Sequence, residues 1–150
     1  PYSRPDTEGP GKAADGARRH AQRATEAVEG KRILVAEDID SNFMLIDALI
    51  GRRFDLLRAR NGEEAVALFG RERPDLVLMD LKMPVMDGCE AARAIRRCGR
   101  AGAADIPIIV MSAFAYEGDI ERAYEAGCTD YVTKPVSRKR LMEVIERYLG

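Results

Sequence analysis

Five residues of this 150-residue chain have types suited to phosphoryl chemistry, and each falls where an apolar run stops. Glu37 and Asp38 follow Ile33-Leu34-Val35-Ala36. Asp80 ends Leu76-Val77-Leu78-Met79. Ser112 closes the run Ile106 to Met111, and Lys134 follows Tyr131-Val132-Thr133. Carboxylates brought close together repel one another, and a hard divalent cation relieves the repulsion. Mg2+ uses one or two carboxylates and keeps waters, which leaves room for a phosphoryl oxygen. A carboxylate oxygen can attack phosphorus and form an acyl phosphate. The transferring group spreads negative charge over its equatorial oxygens, so a metal, a lysine and a hydroxyl can neutralise it from different sides.

Positioning these residues takes a scaffold that gathers strand ends. The apolar runs alternate with stretches of helical spacing. Phe43, Met44, Ile46, Leu49 and Ile50 form one stripe. Ala65, Leu68 and Phe69 form a second, after the punctuation Asn61-Gly62. Ala91, Ala92 and Ile95 form a third. Ile120, Ala123 and Tyr124 form a fourth, closed by Gly127, and Leu141, Val144, Ile145 and Tyr148 form a fifth, capped by Ser137. Phe54 to Arg60 is a poorer, more polar strand that suits an edge. Five strand–helix units with connections too long for hairpins predict a parallel sheet covered by helices on both faces. The α/β arrangement expected is the flavodoxin-like, doubly wound order 2-1-3-4-5, a (βα)5 domain. In that order the first and third strands are neighbours, so Glu37, Asp38 and Asp80 share one corner. A single acidic residue after a strand is ordinarily a helix cap, and Asp40 and Asp87 read as caps rather than ligands.

Residues 1–30 differ in texture. They are rich in Pro, Gly, Ala, Arg and Glu, with almost no large aliphatic residue beyond Val28. Such a stretch cannot bury enough surface to offset its ordering entropy, so 1–30 reads as a flexible linker or tail with a transient helix near 17–29. Its His20 reads as a solvated linker histidine. The globular domain is expected over 31–150. Apolar content of 46% and charged content of 33% suit one globular core. A net charge of −1 offers no field toward nucleic acid or an anionic membrane. No run approaches the length of a membrane span, and no signal-peptide core opens the chain. Cys89, Cys98 and Cys128 are spaced for neither a disulfide framework nor a zinc site, and read as reduced cytosolic thiols.

Four motifs together resemble the response-regulator receiver family of two-component systems. They are Ile33-Leu-Val-Ala-Glu37-Asp38, Leu78-Met-Asp80-Leu-Lys-Met-Pro84-Val-Met-Asp87-Gly88, Ile109-Val-Met-Ser112-Ala113 and Tyr131-Val-Thr-Lys134-Pro135. The match runs from Lys31 to Leu149. The resemblance implies phosphorylation of Asp80, with Mg2+ or Mn2+ as cofactor. It implies that Asp38 and Asp80 ligate the metal directly, Glu37 through a bound water, and Lys82 through its backbone carbonyl. Ser112 and Lys134 would bind the phosphoryl oxygens, Lys134-Pro135 would be cis, and Ser112 and Tyr131 would form a switch pair. Glu37 stands where the family often has aspartate. Phe114 and Lys82 occupy variable positions that bear on phosphate lifetime. The resemblance also implies that the domain catalyses its own aspartyl phosphorylation and dephosphorylation, and that within a hybrid histidine kinase the full-length protein would be a kinase.

The run Glu37-Asp38-Ile39-Asp40-Ser41-Asn42 resembles receivers of hybrid sensor histidine kinases, and the chain stops at Gly150 without an output domain. The expected setting is therefore the C-terminal receiver of such a kinase, on the cytoplasmic side. The expected partners are a kinase phosphohistidine domain or a histidine-phosphotransfer domain, with no nucleic acid and no direct membrane contact, and the isolated domain a monomer or weak dimer. Two rivals remain. Asp38-Ile39-Asp40-Ser41 imitates the motif of a haloacid-dehalogenase-like phosphatase with Asp38 as nucleophile, although no acidic motif of that family follows Lys134. A degenerate receiver acting only as a docking module is the other.

Overall fold

A computed structural model describes residues 30–99, 102–113 and 117–150. The expected tail, His20 and Phe114 lie outside the described residues. Strands β1 (Arg32–Ala36), β2 (Asp55–Ala59), β3 (Leu76–Asp80), β4 (Ile108–Ser112) and β5 (Asp130–Thr133) alternate with α1 (Asp40–Ile50), α2 (Gly62–Glu72), α3 (Gly88–Arg97), α4 (Glu117–Glu125) and α5 (Arg138–Leu149). All neighbouring strands are parallel, in the order β2-β1-β3-β4-β5. This is the order expected.

Side chains alternate across each strand, so one sheet feeds two cores. Leu34, Ala36, Val77, Met79 and Val110 face α2, α3 and α4, packing on Ala65, Phe69, Ala92, Ile95 and Ala123. Ile33, Val35, Leu78, Ile109 and Met111 face α1 and α5, packing on Ile46, Ile50, Leu141, Val144 and Ile145. β3 and β4 are buried along their whole length, which is why they read as continuous apolar runs. Each fully buried Ile or Leu contributes about 1.5–3 kcal/mol of transfer free energy.

The helix starts are held in different ways. Asp87 accepts from the Glu90 amide at 2.9 Å, and Glu90 accepts from the Asp87 amide at 3.1 Å, a reciprocal capping box for α3. Asn61 caps α2, and Ser137 caps α5. Asp40 does not act as the cap expected of it. The residue at the cap position of α1 is Ile39, which has no side-chain acceptor, and Asp40 is the first helical residue. Its carboxylate pairs instead with Arg58 at 2.8 Å and Arg60 at 2.9 Å, and these bonds lower its pKa.

Three smaller expectations also change. β4 begins at Ile108 rather than Ile106, because Pro107 has no amide to donate; its carbonyl accepts from Val77. β2 ends at Ala59 rather than Arg60. Met44 and Tyr124 lie at the solvent side of their helices, 66% and 45% exposed, so neither belongs to its apolar stripe.

Candidate functional site

Parallel pairing brings the carboxyl ends of β1, β3, β4 and β5 into line. Ala36 lies opposite Met79, Asp80 opposite Met111, and Ser112 opposite Thr133. Glu37, Asp38, Asp80, Ser112 and Lys134 therefore meet along one rim, as their positions in the sequence require. Glu37, Asp38 and Asp80 each present a carboxylate oxygen within 4.8 Å of the others.

Lys134 bridges this group. Its Nζ lies 2.9 Å from Glu37 Oε1 and 3.2 Å from Asp80 Oδ2. The second oxygen of Glu37 accepts from the Ile39 amide at 3.2 Å and from Asn42 Nδ2 at 3.4 Å. Asp80 Oδ1 accepts from the Lys82 amide at 3.3 Å. Burial pushes the Asp80 carboxyl up to about 6; Lys134 opposes this, the Glu37 charge adds to it, and the Lys82 amide opposes it. Burial works to lower the Lys134 pKa, yet its bonds and charge interactions with Glu37 and Asp80 bring it above the ordinary value.

Asp38 is the exception in this network. Its Oδ1 is buried and has no hydrogen-bond partner. A buried carboxylate oxygen without a donor is costly, and a cation coordinated there removes the cost. Three converging carboxylates with one orphaned oxygen form an oxygen-rich donor set that fits a hard divalent ion.

The loop after β3 bounds the site. A Cβ on Gly88 would stand 2.5 Å from the Asp80 carbonyl oxygen and 3.0 Å from Leu81 Cα, so only glycine lets α3 start this close to the acceptor. Val85, 73% exposed, takes φ of 72° in the same loop. Lys134-Pro135 is cis. Tyr131 is half-buried at the start of β5, against the core shared with α2, α3 and α4. The Lys134 amide donates to the Ser112 carbonyl at 2.8 Å, tying the two rim residues together.

The family of response regulator receiver domains matches residues 33–146, nearly all of the globular part. The chain belongs to the response regulator receiver family. The receiver is 38% identical over 121 residues to the polar-differentiation response regulator DivK of Brucella anthropi, covering 80% of this chain and 97% of that one. It is 40% identical over 121 residues to hybrid signal transduction histidine kinase I of Dictyostelium discoideum, covering 77% of this chain and 7% of the kinase. Among solved structures it resembles the receiver domain of sensor histidine kinase PA1611 from Pseudomonas aeruginosa PAO1. That structure has a magnesium ion coordinated in the active site cleft. The TM-score is 0.74 with 35% identity, over 81% of this chain and 98% of that one. It also resembles the receiver domain of Ssk1, co-crystallised with the histidine phosphotransfer protein Ypd1 of Saccharomyces cerevisiae. There the TM-score is 0.73 with 29% identity, over 81% of this chain and 90% of that one. The receiver is thus a domain of two-component signalling, and the phosphatase alternative built on Asp38 gives way to it. Among the described residues no helix is long and apolar enough to cross a membrane.

Two contributors escaped the sequence reading of this receiver's site. Asn42 carries no role in the motif read from the sequence, although its place in the first turn of α1 puts its side-chain amide on Glu37. Arg58 sits in a polar edge strand, where an arginine ordinarily signals solvent. Here its guanidinium turns back onto the Glu37 carbonyl.

Proposed function

We infer that this receiver accepts a phosphoryl group from phosphohistidine on Asp80, with Mg2+ or Mn2+ bound beside it, and then switches conformation or passes the group on. The observation that carries this is the pairing of a buried, donor-less Asp38 oxygen with the Lys134-bridged carboxylate of Asp80. Asp38 and Asp80 would hold the ion directly, with the Lys82 backbone carbonyl. Glu37 suits an outer role through a bound water, because both of its oxygens already have protein donors. Bound there, the ion supplies charge neutralisation for the phosphoryl oxygens.

Asp80 is mostly ionised at neutral pH, given its pKa of about 6. One of its oxygens forms the new bond to phosphorus as the N–P bond of the phosphohistidine breaks, and the departing imidazole takes up a proton. Lys134, already on Asp80, offers its ammonium to the incoming oxygens. The Ser112 hydroxyl offers a donor from the next strand. As it turns, Tyr131 moves inward and the face of α4, β5 and α5 changes.

The co-crystal of the Ssk1 receiver with Ypd1 supports a histidine-phosphotransfer domain as partner, or a kinase phosphohistidine domain of the same chemistry. The similarity to receivers of histidine kinases supports the hybrid-kinase setting. A net charge of −1 gives no reason to invoke DNA. The experiment is phosphotransfer from a phosphorylated histidine-phosphotransfer protein to the full chain, with and without Mg2+. Label should move to the chain only with the metal and only while Asp80 is present. Transfer to Asp80→Asn would refute the assignment.

A further inference from the structure

The start of α1 poses a problem that the phosphoryl chemistry leaves open. Asp38 must point into the site, yet the turn that carries it, Glu37 to Asp40, leads into a helix whose cap residue, Ile39, supplies no side-chain bond. Within the turn the Ile39 amide donates to Glu37 Oε2 at 3.2 Å, and a second hold comes from outside it. Arg58 Nε and Nη2 donate to the Glu37 carbonyl at 3.2 and 2.9 Å, and Nη1 donates to Asp40 Oδ1 at 2.8 Å. The guanidinium carbon also lies 4.9 Å from the centre of the Phe43 ring, one turn into the helix. One planar group thus grips the residue before Asp38, the residue two after it and the helix beyond. The Arg58 side chain is only 16% exposed, so its two bonds to the Glu37 carbonyl face little competition from water, whereas the Asp40 carboxylate it also holds lies at the surface.

We propose that Arg58 is a positioning residue for the metal site, fixing the Glu37–Asp40 turn so that the Asp38 carboxylate is aimed before the ion arrives. This rests on the metal reading of the acidic cluster above. Arginine suits the task because its fork can hold a carbonyl and a carboxylate at once while its face lies on an aromatic ring. Lysine could keep the charge but not that grip.

The sign of the effect separates positioning from charge. Removing a cation near a cation site strengthens metal binding by electrostatics alone. Loss of positioning weakens it. The test is an NMR titration of the full chain with Mg2+, following the side-chain carboxyl carbons of Asp38 and Asp80. Arg58→Ala should raise the Mg2+ Kd about tenfold, the scale on which residues that orient metal ligands act. Arg58→Lys should raise it about threefold or more, and decides the matter alone if the alanine variant does not fold. Arg60→Ala removes the exposed partner of Asp40 without touching the Glu37 carbonyl, and should stay within about twofold of the parent. The proposal is overturned if the Arg58 variants bind Mg2+ as tightly as the parent, or more tightly, while Asp38→Ala loses it. If Asp38→Ala keeps the parental Kd, the metal reading itself fails and the role of Arg58 falls with it.

Discussion

Lys134 stands between Glu37 and Asp80, with its Nζ 2.9 Å from one carboxylate and 3.2 Å from the other. Glu37 is fully buried and Asp80 nearly so. The lysine is therefore the cation that lets two carboxylates coexist in the metal-free domain. Lys134→Met should destabilise that form by about 3 kcal/mol at pH 7, because it leaves buried like charges without their partner. Urea unfolding without divalent ions measures this. Added Mg2+ should restore part of the loss in the variant. A variant as stable as the parent would mean that Asp80 and Glu37 do not depend on this bridge.

Asp80 gives the metal-free domain a pH dependence of definite sign. Its folded pKa, about 6, lies above the ordinary carboxyl value of 3.8. The folded state then holds the proton more tightly than the unfolded chain. The stabilising contribution is full below the unfolded value and is lost as pH rises through about 6. Asp80→Asn cannot ionise, so its stability relative to the parent should rise between pH 4.5 and 7, by at most about 3 kcal/mol for a shift of this size. Paired urea melts at the two pH values, without metal, check it. A difference that stays constant with pH would contradict the raised pKa.

Val85 takes a left-handed backbone conformation at φ of 72° in the loop beneath the site, and its side chain is mostly exposed. A β-branched residue in that region carries strain of about 1–3 kcal/mol that glycine does not. Val85→Gly should therefore stabilise the domain by about 1 kcal/mol, net of the extra freedom of the unfolded chain. Chemical unfolding reads the change. Destabilisation would show that the loop holds Val85 through its side chain.

Ser112 and Tyr131 lie on adjacent strands, Ser112 at the rim opposite Thr133 and Tyr131 two residues further back, opposite Val110. Beryllofluoride with Mg2+, as a phosphoryl mimic, should move the NMR signals of the Tyr131 ring and of the α4 amides. In Ser112→Ala the signals near Asp80 should still move, while those of Tyr131 stay. Parental Tyr131 signals that do not respond would make the domain a relay without this switch.

The strands at the centre of the sheet were the most legible part of the sequence. Leu76 to Met79 and Ile108 to Met111 must be apolar on both sides because helices cover both faces, and no other placement suits such short runs. The rim was legible for the same reason, since strand order alone aligns Glu37, Asp80, Ser112 and Lys134. What escaped was set by side-chain reach. Asp40 has the type of a cap, yet two arginines of β2 and the turn after it lie within bonding distance, and their charge decides its role. Tyr124 and Met44 match helical spacing but fall at the margins of their stripes, where composition cannot tell a core position from a surface one. Arg58 belongs to an edge strand whose polarity concealed an inward contact.

The central claim is that Asp80 is the phosphoryl acceptor. The direct measurement is intact mass of the full chain after incubation with Mg2+ and acetyl phosphate or phosphoramidate, compared with Asp80→Asn and Asp38→Asn. The parent should gain one base-labile phosphoryl group. Asp80→Asn should gain none, because an amide oxygen is a poor nucleophile. Asp38→Asn should gain it slowly, on Asp80, because it lacks a metal ligand but keeps the acceptor. Undiminished labelling of Asp80→Asn, or an adduct mapped to Asp38, would contradict the account.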